Sequence, residues 1–183
     1  MSESFLDVSV SDTLTAAHIA LNEPLLDFAN ALIYAVPYSS TQVIPANTPT
    51  TILYTTPPIY VKGAKLASFL SYNQSTGVFT NSSTRNILLK VLYTTIFGSG
   101  STGYRNAYIL SSNSNTALNG LRLYGSSCSA LGTTVAIQLN SGGIFPLAPG
   151  DTFQNVAVHN NSSGTIYSPP DNGASNIMSI ELM

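Results

Sequence analysis

The sequence predicts an all-β protein built from antiparallel strands in a two-sheet sandwich. Ser, Thr and Asn number 25, 19 and 16 among 183 residues, and these short polar side chains suit strands and turns better than helices. Hydrophobic residues make up 44% of the chain and charged residues only 8%, so intrinsic disorder is excluded. From residue 39 onward, short apolar runs alternate with turn signals, as in antiparallel sandwiches.

Residues 1–38 differ from the rest and are predicted to form a short helical or extended N-terminal arm. Residues 5–10 alternate between apolar and polar side chains, as a short strand does. Asn22 is placed to cap a helix with Pro24 in its first turn, and Pro37 would end that helix.

Three apolar residues of this arm recur at helical spacing, namely Leu25, Phe28 and Leu32. We expect them to form an apolar stripe that anchors the arm to a partner. The alternative is that the arm covers one end of the β-domain.

Residues 39–183 form the predicted β-domain. The longest apolar run, Ile87–Phe97, is apolar on both faces except at Lys90 and its threonines, which predicts a central strand or a strand in a subunit contact. Ile137 and Leu139 alternate with Gln138, as a two-layer core requires. The expected strands are residues 50–54, 59–61, 67–72, 78–80, 87–97, 107–110, 121–124, 134–139, 153–158, 165–167 and 177–182.

Turn chemistry separates these strands, with Gly, Asn, Ser and Pro in each connection. The expected loops are residues 73–77, 98–103, 111–119, 140–143, 149–151, 160–164 and 168–173.

The few charges are unevenly placed. Five of the eight acids lie between Glu3 and Asp27, and all six basic residues lie between Lys62 and Arg122. Six basic residues spread over about sixty positions give too low a density of positive charge to bind nucleic acid. We therefore expect no nucleic-acid partner.

No targeting feature is expected. The first basic residue is Lys62, so no positively charged region precedes an apolar one as in a signal peptide. No apolar stretch reaches the length of a membrane span. The lone Cys128 fits synthesis in a reducing compartment. These features predict a chain made in the cytoplasm without membrane insertion.

The segment Gly98-Ser99-Gly100-Ser101-Thr102-Gly103 matches the dinucleotide-binding fingerprint in its letters alone. In that fold a helix follows the third glycine, and an acid about 20 residues further on binds the ribose. Here another strand is predicted to follow, and no acid occurs before Asp151. The segment is therefore interpreted as a hairpin loop, and no cofactor is expected.

No catalytic or metal-binding constellation is evident. His18 and His159 are far apart in sequence, and no nucleophile elbow occurs. Asp151 and Asp171 lie in turn signals, where the side chain more often bonds its own backbone than a calcium ion. We therefore expect neither an enzyme nor a metal site.

Ten tyrosines without a tryptophan invite a binding-surface interpretation, because tyrosine supplies amphipathic contact area. We expect a surface or ligand-binding loop formed by Tyr104, Arg105, Tyr108 and Tyr124. Half or more of the tyrosines should instead belong to the core or to sheet faces.

The order of elements in residues 40–183 carries a family resemblance. A turn of the form Leu-x-x-Gly-Asp-x-hydrophobic leads into a strand, and a closing strand ends in Leu. The residues concerned are Leu147, Gly150, Asp151, Phe153, Ile180 and Leu182. This arrangement resembles the jelly rolls of the tumour necrosis factor-like and complement globular-head superfamily.

The resemblance implies a jelly roll of about ten strands that forms compact trimers around a three-fold axis. It brings no catalytic residues. Low charge, hydroxyl-rich strands and a separate arm favour a viral structural protein within this group, either a minor capsid component or a spike head. Expected partners are further copies of the chain, other capsid proteins, and a host receptor or glycan. The alternative is a non-viral carbohydrate- or receptor-binding module.

Overall fold

The structure is a computed structural model. It describes residues 30–35, 41–54, 57–63, 65–98, 103–114, 119–120, 122–129, 137–161, 165–166 and 176–183.

Strands dominate the described residues, and the one helix, α1, is a single short turn at Lys65–Phe69. No helix among the described residues is long and apolar enough to cross a membrane. The strands are β1 (Ala31–Ala35), β2 (Gln42–Val43), β3 (Thr50–Thr51), β4 (Tyr60–Lys62), β5 (Leu70–Asn73), β6 (Val78–Asn81), β7 (Ile87–Phe97), β8 (Tyr104–Ser112), β9 (Arg122–Ser129), β10 (Ile137–Leu147), β11 (Thr152–His159), β12 (Thr165–Ile166) and β13 (Ile177–Leu182).

The strands form two antiparallel sheets that pack face to face. The seven-stranded sheet has the order β2-β12-β7-β13-β1-β4, with β10 also paired to β7. The six-stranded sheet has the order β5-β6-β11-β8-β9, with β3 also paired to β11. The predicted all-β, antiparallel two-sheet sandwich is confirmed.

Strand β7 is the centre of the seven-stranded sheet, and its bounds are those predicted from sequence. It pairs with β10 along its whole length and with β13 along half of it. Its residues alternate strictly from Ile87 to Tyr93, with one set buried between the sheets and the other on the outer face. This two-residue period follows from the pleat of a β-strand.

Aromatic rings fill one part of the core between the sheets. The rings of Phe79 and Phe153 stack with centroids 4.9 Å apart, and Phe145 meets Phe153 edge-on at 5.3 Å. Tyr34 lies edge-on to Phe79 at 5.0 Å. Such pairs stabilise the core by about 0.5–1.5 kcal/mol each beyond their area burial.

Of the two forms predicted for the arm, helical or extended, the helical form is wrong at Leu32. Residues Ala31–Ala35 form strand β1, which pairs with β13 on one side and β4 on the other. Leu32 and Tyr34 alternate into the core, so Leu32 is not available as an anchor. The periodicity of this short apolar run is compatible with a helix or a strand. Pairing with β13 and β4 makes it a strand.

The β-domain consequently begins no later than Asn30, and not at residue 39. Leu25 and Phe28, the other two expected anchor residues, lie outside the described residues. Their anchoring role stays a prediction.

Two further expectations differ in detail. The run at residues 67–72 was expected as one strand, but helix α1 occupies its first half and β5 begins only at Leu70. Strand β2 was not expected, because two residues are too short for a periodic signal.

The expected loop at residues 140–143 lies inside strand β10. Gly142 is opposite Leu92 of β7, and a Cβ atom added at Gly142 would overlap the carbonyl oxygen of Val91. The glycine is therefore required by close backbone approach within the sheet, and not by a turn.

The glycine-rich segment at residues 98–103 does not join a hairpin. Strand β7 before it lies in the seven-stranded sheet, and β8 after it lies in the six-stranded sheet. The connection thus crosses between sheets, and residues 99–102 lie outside the described residues. A strand follows the third glycine, as predicted, which excludes the dinucleotide-binding arrangement.

We predict that Gly142→Ala lowers the free energy of unfolding by about 1–3 kcal/mol, because backbone atoms of β7 must move to admit the methyl group. Urea denaturation would measure this change. The matched control is Gly125→Ala in β9, where the nearest atom to the added Cβ is at an ordinary contact distance of 3.6 Å. Equal stability changes in the two variants would contradict the prediction.

Candidate functional site

The four residues expected to form a binding loop lie on two paired strands, β8 and β9. Tyr104 is 42% exposed and lies at the start of β8. Arg105 and Tyr108 are buried, and Tyr124 is half-buried. Arg105 and Tyr108 therefore do not lie on an exposed surface, and the ligand-binding role of Tyr104 and Tyr124 stays a prediction.

Arg105 points into the sandwich because it has the same strand parity as the core residues Ala107 and Ile109. It is 1% exposed, and its register partners are His159 on β11 and Cys128 on β9. Its Nη1 donates a hydrogen bond to the carbonyl oxygen of Tyr104 at 3.1 Å. Burial lowers the pKa of the Arg105 guanidinium from its ordinary value.

Tyr108 lies on the outer face of the six-stranded sheet and is buried there. It packs with Val156 and Val158 in a small cluster separate from the main core. The guanidinium of Arg122 lies over its ring, 4.8 Å from the centroid. The ring therefore has a partner already and does not present its face to a ligand.

Tyr124 has a different environment again. It has a positive φ of 51° at an irregularity in the β8–β9 pairing. Its hydroxyl donates a hydrogen bond to the carbonyl oxygen of Ile144 on β10. Tyr124 thus ties the edges of the two sheets together, while Tyr108 lies on an outer face.

His159 and Asp151 use their polar atoms within the fold. Nδ1 of His159 accepts a hydrogen bond from the backbone N–H of Asn161 at 3.1 Å, and Nε2 donates to the carbonyl oxygen of Ile44 at 2.6 Å. The carboxylate of Asp151 accepts from the backbone N–H groups of Ala148 and Ser114, both at 2.8 Å. The predicted turn role of Asp151 is confirmed, and His159 offers no open nitrogen to a substrate.

No group of three or more His, Cys, Asp and Glu side chains that could hold a metal ion occurs within the described part of the chain. Asp171 and His18 lie outside it.

The most distinctive surface is the outer face of the seven-stranded sheet. Leu88 and Leu92 of β7 and Ile144 of β10 are 42%, 45% and 46% exposed. Leu92 is opposite Gly142 and Ile144 is opposite Lys90, so the three side chains share one surface. We define these three residues as the apolar face.

The apolar face surrounds an ion pair. Nζ of Lys90 lies 3.0 Å from a carboxylate oxygen of Glu181, its register partner on β13. Because the two charges neutralise each other, this part of the sheet has no net charge. The pair is partly exposed and stabilises the isolated chain by at most about 1 kcal/mol.

A cleft of about 550 Å³ opens on the same side of the sheet. Leu92 and Gly142 form part of its wall, and Thr94 donates a hydrogen bond from Oγ1 to Oδ1 of Asn140 at its rim, at 2.8 Å. The described residues of its lining contribute hydroxyl, amide and apolar groups but no charged side chain.

Sequence reasoning located part of this surface. The double-faced apolar pattern of β7 predicted a central strand or a subunit contact, and the central position is confirmed. Ile144 was missed because the preceding glycines were interpreted as a loop. The signal was the resumed alternation of Ile144, Phe145, Pro146 and Leu147 directly after them.

Burial also makes the core tyrosines sensitive to alkali. Burial raises the pKa of Tyr93 to about 12 from its ordinary 10.0. The Tyr93 hydroxyl lies 2.7 Å from the carbonyl oxygens of both Ala107 and Tyr124, so a phenolate would face two oxygen atoms. In the unfolded chain Tyr93 ionises near its ordinary pKa, whereas in the folded chain it keeps its proton.

We therefore predict that stability is full below pH 10 and falls as the pH rises from about 10 towards 12, by on the order of 2 kcal/mol for Tyr93. Urea denaturation at about pH 9 and about pH 11.5 would measure the loss. Tyr93→Phe should remove part of this dependence, and Tyr60→Phe, at an exposed tyrosine, should not. An unchanged pH dependence in Tyr93→Phe would contradict the assignment.

Comparison with known proteins identifies the type of fold. The chain matches no protein-family model and no curated protein. Among solved structures, murine APRIL at pH 5.0 is similar with a TM-score of 0.59 and 12% identity, over 85% of this chain and 99% of that chain. Eiger TNF from S. frugiperda is similar with a TM-score of 0.59 and 12% identity, over 85% of this chain and 93% of that chain. At this identity the likeness concerns the fold, and the chain has a tumour necrosis factor-like jelly-roll fold.

Proposed function

We propose that this protein is a non-enzymatic structural jelly roll that assembles with copies of itself, as a trimer, through the outer face of the seven-stranded sheet. The observation that supports this proposal is the apolar face, Leu88, Leu92 and Ile144, on the central strands of a large sheet. Contiguous exposed apolar residues of this kind mark interaction sites in soluble proteins.

The energetics favour burial of this face. Removing the exposed part of each of these side chains from water contributes about 1 kcal/mol at about 25 cal/mol per Å². In a closed cyclic assembly every subunit buries such a face, so the contribution repeats at each interface. The neutral Lys90–Glu181 pair adds no net charge to the contact.

The fold supports the same stoichiometry. The tumour necrosis factor-like jelly rolls that the chain resembles pack as compact trimers. With 8% charged residues, the chain has fewer solubilising groups than the roughly 25% of an ordinary soluble domain. Burial between subunits compensates for this shortage.

We further propose that the assembly belongs to a virion, as a minor capsid component or a spike head, with other capsid proteins as partners. Jelly rolls are frequent in capsids, and the low charge and hydroxyl-rich strands suit a subunit packed among neighbours. Mass spectrometry of particles purified from the source of the sequence should find the chain at a fixed ratio to the major shell protein. Loss of the chain on washing the particles would contradict this location.

The alternative, a carbohydrate- or receptor-binding module, has less support. Of the four residues expected to bind a ligand, Tyr104 alone is exposed, and Tyr108 and Tyr124 already have partners.

The trimer leads to a direct prediction for Leu92→Asp. A carboxylate in the apolar face would have to be buried without a partner, so the variant should elute as a monomer at micromolar concentration, where the unchanged chain is a trimer. Size-exclusion chromatography with light scattering would measure both masses.

The matched control is Tyr104→Asp, which adds the same charge on the six-stranded sheet, at a side chain of similar exposure. It should remain trimeric, and circular dichroism should show that both variants keep their strands. A monomeric unchanged chain, or equal dissociation of both variants, would contradict the proposed interface.

A further inference from the structure

A small hollow opens where strand β7 begins and strand β13 ends. Its volume is about 200 Å³, which is smaller than a pocket for a drug-sized ligand and suits a small molecule. Ile87 and Leu182 are buried, and Met183 is about half exposed. The described residues that line the hollow are Phe69, Arg85, Asn86, Ile87, Leu182 and Met183.

Arg85 supplies the positive charge of this hollow. The central carbon of its guanidinium lies 4.4 Å from the centroid of the Phe69 ring, which is within cation–π distance. This contact holds the guanidinium through its charge and uses none of its five N–H donors. The donors are therefore suited to bond a carboxylate in pairs, because the planar fork of arginine matches the two carboxylate oxygens.

Asn81 fixes the turn that carries Arg85. Asn81 is buried, and its Nδ2 donates a hydrogen bond to the carbonyl oxygen of Arg85 at 2.9 Å. Its Oδ1 accepts hydrogen bonds from the backbone N–H and the hydroxyl of Ser83, at 3.0 and 2.6 Å. The backbone N–H of Ser82 donates to the carbonyl oxygen of Phe69 at 2.8 Å. Because the backbones of Arg85 and of its stacking partner are already held, a ligand would order little on binding.

The lining also indicates which kind of anion fits. The Asn86 carboxamide is the second polar side chain among the described lining residues, and Phe69, Ile87 and Leu182 add apolar surface. A carboxylate has two oxygens for the fork of one arginine, and an apolar group attached to it would contact the apolar lining. Phosphate carries more acceptor oxygens, some of which would lose water here without gaining a donor.

We propose that this hollow binds a small organic carboxylate, which forms a bidentate pair with Arg85 and places its apolar part against Ile87 and Leu182. The three residues of the apolar face are not among the described residues that line the hollow. The site is therefore a separate feature, and it does not depend on the trimer.

Benzoate is the probe, because it joins a carboxylate to a compact apolar ring. In amide NMR of the full-length chain, benzoate should shift the backbone N–H signals of Asn86, Ile87 and Met183. The expected dissociation constant is on the order of millimolar, as for other ligands of this size. Benzamide, a neutral analogue of the same shape, and inorganic phosphate should each bind at least about tenfold more weakly.

Substitution of Arg85 tests the assignment of the charge. Arg85→Gln should weaken benzoate binding about tenfold or more, since hydrogen bonds between charged groups are the stronger ones. Arg85→Lys keeps the charge but loses the fork, and it should also bind more weakly than the unchanged chain. The matched control is Arg122→Gln, which removes a guanidinium that is likewise stacked on a ring, that of Tyr108. It should leave the affinity for benzoate unaltered.

Circular dichroism should show that all three variants keep their strands. The proposal is overturned if benzoate shifts none of the three signals, if benzamide binds as tightly as benzoate, or if Arg85→Gln and Arg122→Gln weaken binding equally. Unchanged affinity in Arg85→Lys would overturn the bidentate contact.

Discussion

Tyr93 lies on the central strand of one sheet, and its hydroxyl reaches the backbone of two strands of the other, at Ala107 and Tyr124. Two residues further along β7, Oγ1 of Thr95 accepts a hydrogen bond from Nδ2 of Asn155 at 3.1 Å. The same Nδ2 donates a second hydrogen bond to the Tyr54 hydroxyl at 2.7 Å. These buried bonds fix the offset between two faces that apolar packing alone would allow to slide, because hydrophobic burial is non-directional.

This constraint on the inner face of β7 determines what its outer face can do. Tyr93 and Thr95 are committed to the core, so Leu88 and Leu92 at the alternate positions must lie on the outside of the sheet. A strand with apolar side chains on both faces shields them from water only when both faces are covered. One covering is supplied by the six-stranded sheet, and the proposed contact between subunits supplies the other.

The sequence predicted correctly those strands that can be recognised from their own residues, without knowledge of the strands they pair with. Strands β7 and β13 have the expected bounds because their alternation is long and uninterrupted. Leu32 could not be placed, because its apolar neighbours fit a helix as well as a strand until β13 and β4 flank them. Arg105 could not be placed either, since a cation at an inward position of β8 contradicts the usual exposure of charged residues. Its burial follows from register with Ala107 and Ile109, which only the pairing reveals.

The position of β13 has a consequence for synthesis on the ribosome. Residues Ile177–Leu182 lie between β7 and β1, so β1 and β4 cannot join the sheet until β13 has been synthesised and has left the exit tunnel. Strands β1 and β4 precede β13 in the chain, and their apolar side chains wait for this neighbour during translation. Nascent chains with such delayed pairing are prone to aggregate, which makes the interval before β13 emerges a vulnerable stage in the synthesis of this protein.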